Sequence, residues 1–172
     1  MSKIKDIKAR EILDSRGNPT IEVSLESEDG IFIDSVPSGA STGEREALEL
    51  RDNDENRYFG KGVLNAISNI QNIIFKEIKG RSVTSQKEID DVLIMLDNTD
   101  NKSRLGANSI MAVSLALARA GARAEKKELF EYISLISNSE ICLPSPCFNV
   151  INGGRHAGNK LAFQEFMINF KG

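Results

Sequence analysis

Thr20-Ile21-Glu22-Val23-Ser24-Leu25, then Glu28-Asp29-Gly30, then Ile31-Phe32-Ile33-Asp34-Ser35-Val36 is the stretch that decides the fold class. Ile21, Val23 and Leu25 alternate with polar residues, and the two-residue period of a strand gathers them on one apolar face. Glu28-Asp29-Gly30 is a hairpin signal, so residues 31–36 read as the return strand. Upstream, Lys3 to Leu13 alternates imperfectly through Ile4, Ile7 and Ile12, and Asp14-Ser15-Arg16-Gly17-Asn18-Pro19 is a dense turn cluster. The first third is therefore expected to be an antiparallel β-meander.

Working outward, the period changes. After a Gly/Ser-rich loop from Pro37 to Gly43, Glu44 to Arg51 reads as a short polar helix. Gly62 to Ile78 carries Val63, Ala66, Ile67, Ile70, Ile73, Ile74 and Ile78 at helical spacing. Ser85-Gln86-Lys87-Glu88 has the form of a capping box and opens a helix with Ile89, Val92, Leu93 and Leu96 on one face. Asn98 to Arg104 is a polar loop. Ala107 to Glu125 is rich in small residues and apolar on most sides, so it is expected to be a central buried helix, and Phe130 to Ile136 a last short one. Strands first and helices after, without alternation, read as α+β. Near Ile141 the composition shifts: Pro144 and Pro146 mark a linker, Cys147–Ile151 reads as a buried strand, Gly153-Gly154 breaks it, and Leu161–Ile168 is a second strand. The expected division is residues 1–141 and 142–172.

Composition excludes several function classes. The 172 residues hold 22 Lys+Arg against 25 Asp+Glu, a formal charge of −3, with 27% charged and 40% hydrophobic residues. A weakly acidic chain with dispersed cations lacks the basic footprint of a nucleic-acid binder. No apolar run reaches the ~18 residues of a membrane span, and Met1–Gly17 has no apolar h-region. Two cysteines, Cys142 and Cys147, are too few for a disulfide framework. They read as buried or inert thiols in a cytoplasmic protein.

Four features carry possible chemistry. Ser38-Gly39-Ala40-Ser41-Thr42-Gly43 is a hydroxyl-rich loop of a kind that approaches phosphates or metals through N–H groups and Ser oxygens. It is no Walker A loop, and on spacing alone it reads first as a connection and second as a ligand loop. His156 is the only histidine, which disfavours a catalytic triad, a two-His zinc site and a zinc finger together. It follows Asn152-Gly153-Gly154 in a polar turn, where a solvated histidine and a functional one are both open readings. Gln164-Glu165 interrupts an apolar strand; Glu165 faces solvent or works on a ligand, since an unpaired buried carboxylate costs several kcal/mol. The charge run Arg51–Arg57 reads as a solvated loop.

Taken in order, these stretches resemble the enolase (phosphopyruvate hydratase) family. The resemblance runs through Asp14–Thr20, Val36–Gly43, Glu46–Asp52, Gly60–Val63, Asn101–Asn108, Asn152–Ala157 and Gln164–Ile168, and so covers essentially the whole chain. It implies the small α+β domain of that family followed by a truncated start of its β/α barrel. It also implies a Mg2+-dependent lyase that interconverts 2-phosphoglycerate and phosphoenolpyruvate, as a homodimer. Residue by residue, Ser41 resembles the loop serine that ligates the substrate-carried Mg2+, within the mobile loop Ser38, Gly39, Ala40, Ser41, Thr42 and Gly43. His156 resembles the histidine near the substrate phosphate, Glu165 a substrate-side carboxylate and Gln164 its polar neighbour. Arg10 and Glu22 fall where the family makes dimer contacts. A barrel needs about 250 residues, whereas 31 follow Ile141 here. The remaining metal ligands, the general base and the main general acid of the family are thus expected beyond Gly172. The 172 residues alone are expected to be inactive, the alternative being a non-catalytic relative kept as a binding or dimerisation module.

Overall fold

The computed structural model describes residues 2–39, 43, 45–154 and 157–170. Strands β1 (Ile4–Leu13), β2 (Pro19–Ser27) and β3 (Gly30–Ser35) form an antiparallel sheet in the order β1-β2-β3. Arg10 lies opposite Glu22, and Leu25 opposite Ile7 on one side and Phe32 on the other. The turn between β1 and β2 is closed by Asp14, whose Oδ1 accepts the N–H groups of Arg16 and Asn18, both at 2.8 Å. Gly17 supplies the positive φ of 77° that this turn needs.

Helices follow: α1 (Leu64–Asn69), a π-helical turn (Ile70–Ile74), α2 (Phe75–Ile78), α3 (Gln86–Asp97), α4 (Ala107–Ala124) and α5 (Leu129–Ser137). Helix α4 packs on β2 and β3, with α3 and α5 beside it. Its Ala112, Ala116 and Ala120 are small enough to bring the helix onto Ile21, Val23 and Leu25, and all six are fully buried. Arg119 of α4 holds Asp34 of β3 at 2.5 Å across the edge of this contact. Gly121 has a packing reason too, because a Cβ there would meet the Tyr132 ring of α5 within 2.9 Å. The architecture is α+β, with the three-stranded sheet first and the helices after it.

Several local expectations need correction. Of the helix expected over 44–51, described residues 45–51 form no helix. Their backbone is instead used across the fold: Leu48 N–H donates to Asn101 O at 2.6 Å and Leu50 N–H to Asn108 Oδ1 at 3.1 Å, while Ala107 N–H donates to Leu48 O at 2.8 Å. Long-range pairing has overridden a local helical preference of a few tenths of a kcal/mol per residue. Ser85 precedes α3 but its side chain makes no cap bond. The Gln86 side chain turns inward instead, donating to Ser114 Oγ at 3.0 Å. The helix read over 62–78 is interrupted by the π turn. The charge run is a solvated loop only in its middle, Asn53–Asn56: Asp52 caps α1 through the N–H groups of Leu64 and Asn65, both at 2.8 Å, and Arg57 pairs with Glu11 of β1.

The chain divides into two compact units, Met1–Ser139 and Glu140–Gly172. The second holds β4 (Cys147–Asn152) and β5 (Glu165–Asn169), an antiparallel pair. Both strands are exposed throughout, so the expectation of a buried strand at 147–151 is not met. Two strands alone have no second layer to cover either face. The second strand is also shorter than read, since Leu161–Gln164 lies outside it. Cys142 and Cys147 are free and exposed rather than buried.

Candidate functional site

The candidate residues read from the sequence fall in both units, each taken by itself. In the first unit the stretch concerned is the stem of the segment 37–43. Of that loop the structure describes Ser38, Gly39 and Gly43; Ala40, Ser41 and Thr42 lie outside the described residues. The stem leaves the sheet where Val36 N–H donates to Ile21 O at 3.0 Å and the buried Thr20 hydroxyl donates to Val36 O at 2.7 Å. Two residues further on, Arg16 Nη2 donates to Ser38 O at 2.5 Å. The Ser38 hydroxyl donates to Glu49 Oε2 and accepts from Arg51 Nη2, each at 3.3 Å.

Arg51 has four acceptors. Nη2 also reaches Glu49 Oε2 at 2.7 Å, and Nη1 donates to Pro19 O at 2.6 Å and Lys61 O at 2.8 Å. Lys61 Nζ in turn donates to Asn18 Oδ1 at 2.9 Å. With Gly39 these side chains line a polar cleft of about 280 Å³. The Asp14 carboxyl that braces the turn beneath Arg16 is held below the usual carboxylate range. The Asn18 N–H is the main cause, opposed by burial and aided by the Arg16 N–H and the charges of Arg16 and Arg51.

In the second unit the stretch concerned is the end of the β4–β5 hairpin. His156 lies outside the described residues. The stretch before it, Asn152-Gly153-Gly154, is brought beside Leu161–Glu165: Asn152 pairs with Glu165, Gly153 N–H donates to Gln164 O at 2.9 Å, and Gly154 N–H to Leu161 O at 3.0 Å. Gly153 is required by this approach, because a Cβ would run into the Phe163 carbonyl oxygen and come within 2.7 Å of Leu161 Cβ. Asn159 ties the connection down by donating to Asn152 O at 2.9 Å while accepting the Leu161 N–H at 3.0 Å. Gln164 and Glu165 thus sit on a braced backbone and are exposed.

Arg10 and Glu22, expected at a dimer contact, pair with each other within the chain at 2.6 Å across β1 and β2. Among the described residues no three His, Cys, Asp or Glu side chains converge on a metal-sized site, and no helix is long and apolar enough to cross a membrane. Sequence reading missed Arg16, Glu49 and Arg51 as the holders of the loop stem. The bonds from Arg16 to Ser38 and from Arg51 to Ser38 and Pro19 join residues 13 or more apart, and no periodic signal reports that.

Comparison with known proteins follows the same order along the chain. A family model described as the enolase N-terminal domain matches residues 4–133, and one described as the enolase C-terminal TIM barrel domain matches residues 140–172. Enolase B of Dictyostelium discoideum is 61% identical over 166 residues, covering 96% of this chain and 38% of the relative. The enolase of Methanosarcina acetivorans is 58% identical over 170 residues, 99% of this chain and 39% of the relative. The enolase of Mastigamoeba balamuthi is 56% identical over 169 residues, again 38% of its own length. The chain therefore spans well under half the length of these relatives.

Proposed function

The chain belongs to the enolase family, and we propose that it is the N-terminal part of a phosphopyruvate hydratase interconverting 2-phosphoglycerate and phosphoenolpyruvate plus water in glycolysis. The single observation that carries this reading is the ordered match of both family models, 4–133 and then 140–172, along one chain. In this reading residues 1–141 are the family's α+β domain and 142–172 the start of its barrel. The protein is cytoplasmic and works as a homodimer, with Arg10 and Glu22 at the contact between subunits.

The reaction removes a proton from a carbon next to a carboxylate and expels hydroxide from the neighbouring carbon. That proton is weakly acidic, so stabilising the developing negative charge is the main catalytic task. Mg2+ is the cofactor of this reading, and when bound it supplies that charge stabilisation. The described residues do not make up its site, as the absence of a three-ligand cluster among them indicates. What this chain contributes is positioning. Ser41 serves in the loop that starts at the Ser38 stem. His156 lies against the substrate phosphate. Glu165, exposed at the start of β5 with Gln164 beside it, faces the substrate.

The isolated 172 residues are proposed to be inactive, because the groups that would stabilise the transition state are not among those described. The test is phosphoenolpyruvate absorbance after adding 2-phosphoglycerate and Mg2+ to the purified chain and to a protein extended with the downstream reading frame. Turnover is expected from the extended protein alone. Turnover by the 172 residues would overturn the inactivity, and none by the extended protein would favour a non-catalytic binding or dimerisation module.

A further inference from the structure

Beyond Val36, nothing in the described backbone ties the loop stem down: among the described residues Pro37, Ser38 and Gly39 make no backbone–backbone hydrogen bond. Side chains do this instead. Ser38 is held at its carbonyl by Arg16 and at its hydroxyl by Arg51 and Glu49. We propose that Arg51 is a positioning residue, whose guanidinium sets where the 38–43 segment starts relative to β2 and to the 49–61 segment. The inference rests on the reading above, in which that segment serves the hydratase reaction.

The geometry is specific to a guanidinium. Its acceptors come from three parts of the chain: Pro19 O at the start of β2, Ser38 Oγ on the stem, and Glu49 Oε2 with Lys61 O on the segment between stem and α1. A planar fork of five donors spans them, whereas an ammonium offers three donors from one point. The side chain is 19% exposed and lines the cleft with Arg16 and Lys61, so it is no packing element of the core. If Arg51 served only to neutralise Glu49, a lysine would serve equally well. If it orients the stem, a lysine keeps the charge and loses the position.

Two variants separate these roles. Arg51→Lys retains the positive charge opposite Glu49. Ser38→Ala removes one hydroxyl and leaves every other Arg51 contact, and so guards against a variant that fails to fold. The first readout is the 15N order parameter of Gly39 in the 172-residue chain. It is expected to drop from about 0.8 to below about 0.6 in both variants, with core amides such as Val23 and Leu117 unchanged. The second is kinetics in the extended protein, where a misplaced stem is expected to lower kcat about a hundred-fold in Arg51→Lys and about ten-fold in Ser38→Ala, with KM moved less than about three-fold. Unchanged order parameters in both variants overturn the positioning role. Normal kcat in both, in an extended protein that turns over, overturns its part in the reaction. An unmutated extended protein without turnover overturns the hydratase reading instead, and the order parameters then decide the positioning role alone.

Discussion

Replacing Asp97 should unfasten the connection between α3 and α4. Asp97 is the last residue of α3 and is fully buried. Its Oδ2 accepts the Leu105 N–H at 2.6 Å, and its Oδ1 accepts the Thr99 N–H at 3.1 Å and the Thr99 hydroxyl. Burial pushes this carboxyl up, but the Leu105 N–H, the Thr99 hydroxyl and N–H and the Arg104 N–H together outweigh it and hold it below the ordinary value of 3.8. A hydrogen bond to a charged group contributes about 1.5–3 kcal/mol net, and a buried donor left without a partner costs about 1–3 kcal/mol. In Asp97→Ala water can replace the two bonds to half-buried Thr99, so the lost Leu105 bond and its buried, stranded N–H set the scale, and about 3–5 kcal/mol is expected. Asp97→Asn keeps the shape and one acceptor oxygen but turns an NH2 toward another donor, so about 2–3 kcal/mol is expected, roughly a 10 °C drop in Tm.

The pH dependence carries the sign. A carboxyl depressed in the folded state contributes stability that is present above its unfolded value, and that is lost as pH falls through the folded value. The gap between the unmutated chain and Asp97→Asn should therefore be full at pH 7 and shrink below about pH 4. Urea unfolding followed by far-ultraviolet circular dichroism reads it cleanly, since among the described residues the α-helices all lie within Met1–Ser139. A gap under about 0.5 kcal/mol at pH 7, or one of equal size at pH 3, would refute the reasoning.

Two further outcomes are expected. The Glu11 carboxyl is pushed up by burial but brought below its ordinary value by the Arg57 hydrogen bond, the Val63 N–H and the charges of Arg57 and Arg51. Glu11→Gln should thus cost about 2 kcal/mol in urea unfolding at pH 7 and less below pH 4, and an equal cost at both would contradict the pairing. Gly153→Ala should push Leu161–Gln164 away from Asn152–Gly154 and at least ten-fold speed amide exchange of the β4–β5 ladder, while leaving Tm of the helical unit unchanged; a protected ladder would mean the close approach is not required.

What was legible in the sequence followed from contacts that are near in sequence or periodic. Ile21, Val23 and Leu25 alternate, and the sheet buries all three. Ala107–Glu125 is apolar on most sides, and α4 runs through the core as read. Two of the failures share a physical origin, which is backbone or charge committed to a distant partner. Residues 45–51 carry helix-forming Ala, Leu and Glu, yet Asn108, a polar residue buried near the start of α4, takes the Leu50 N–H and donates to Leu50 O at 3.0 Å. Two hydrogen bonds with a partner 58 residues away outweigh a propensity spread over one short turn. The run Arg51–Arg57 read as solvated because every residue in it is charged or polar, but Asp52 and Arg57 are used on α1 and β1. The candidate site divides along the same line. The stretches holding Ser41, His156 and Glu165 stand out in the sequence because each is a short run of unusual residues, while Ser41 and His156 themselves lie outside the described residues. Arg51 was not: its acceptors belong to Pro19, Ser38, Glu49 and Lys61, and all but Glu49 lie ten or more residues away along the chain.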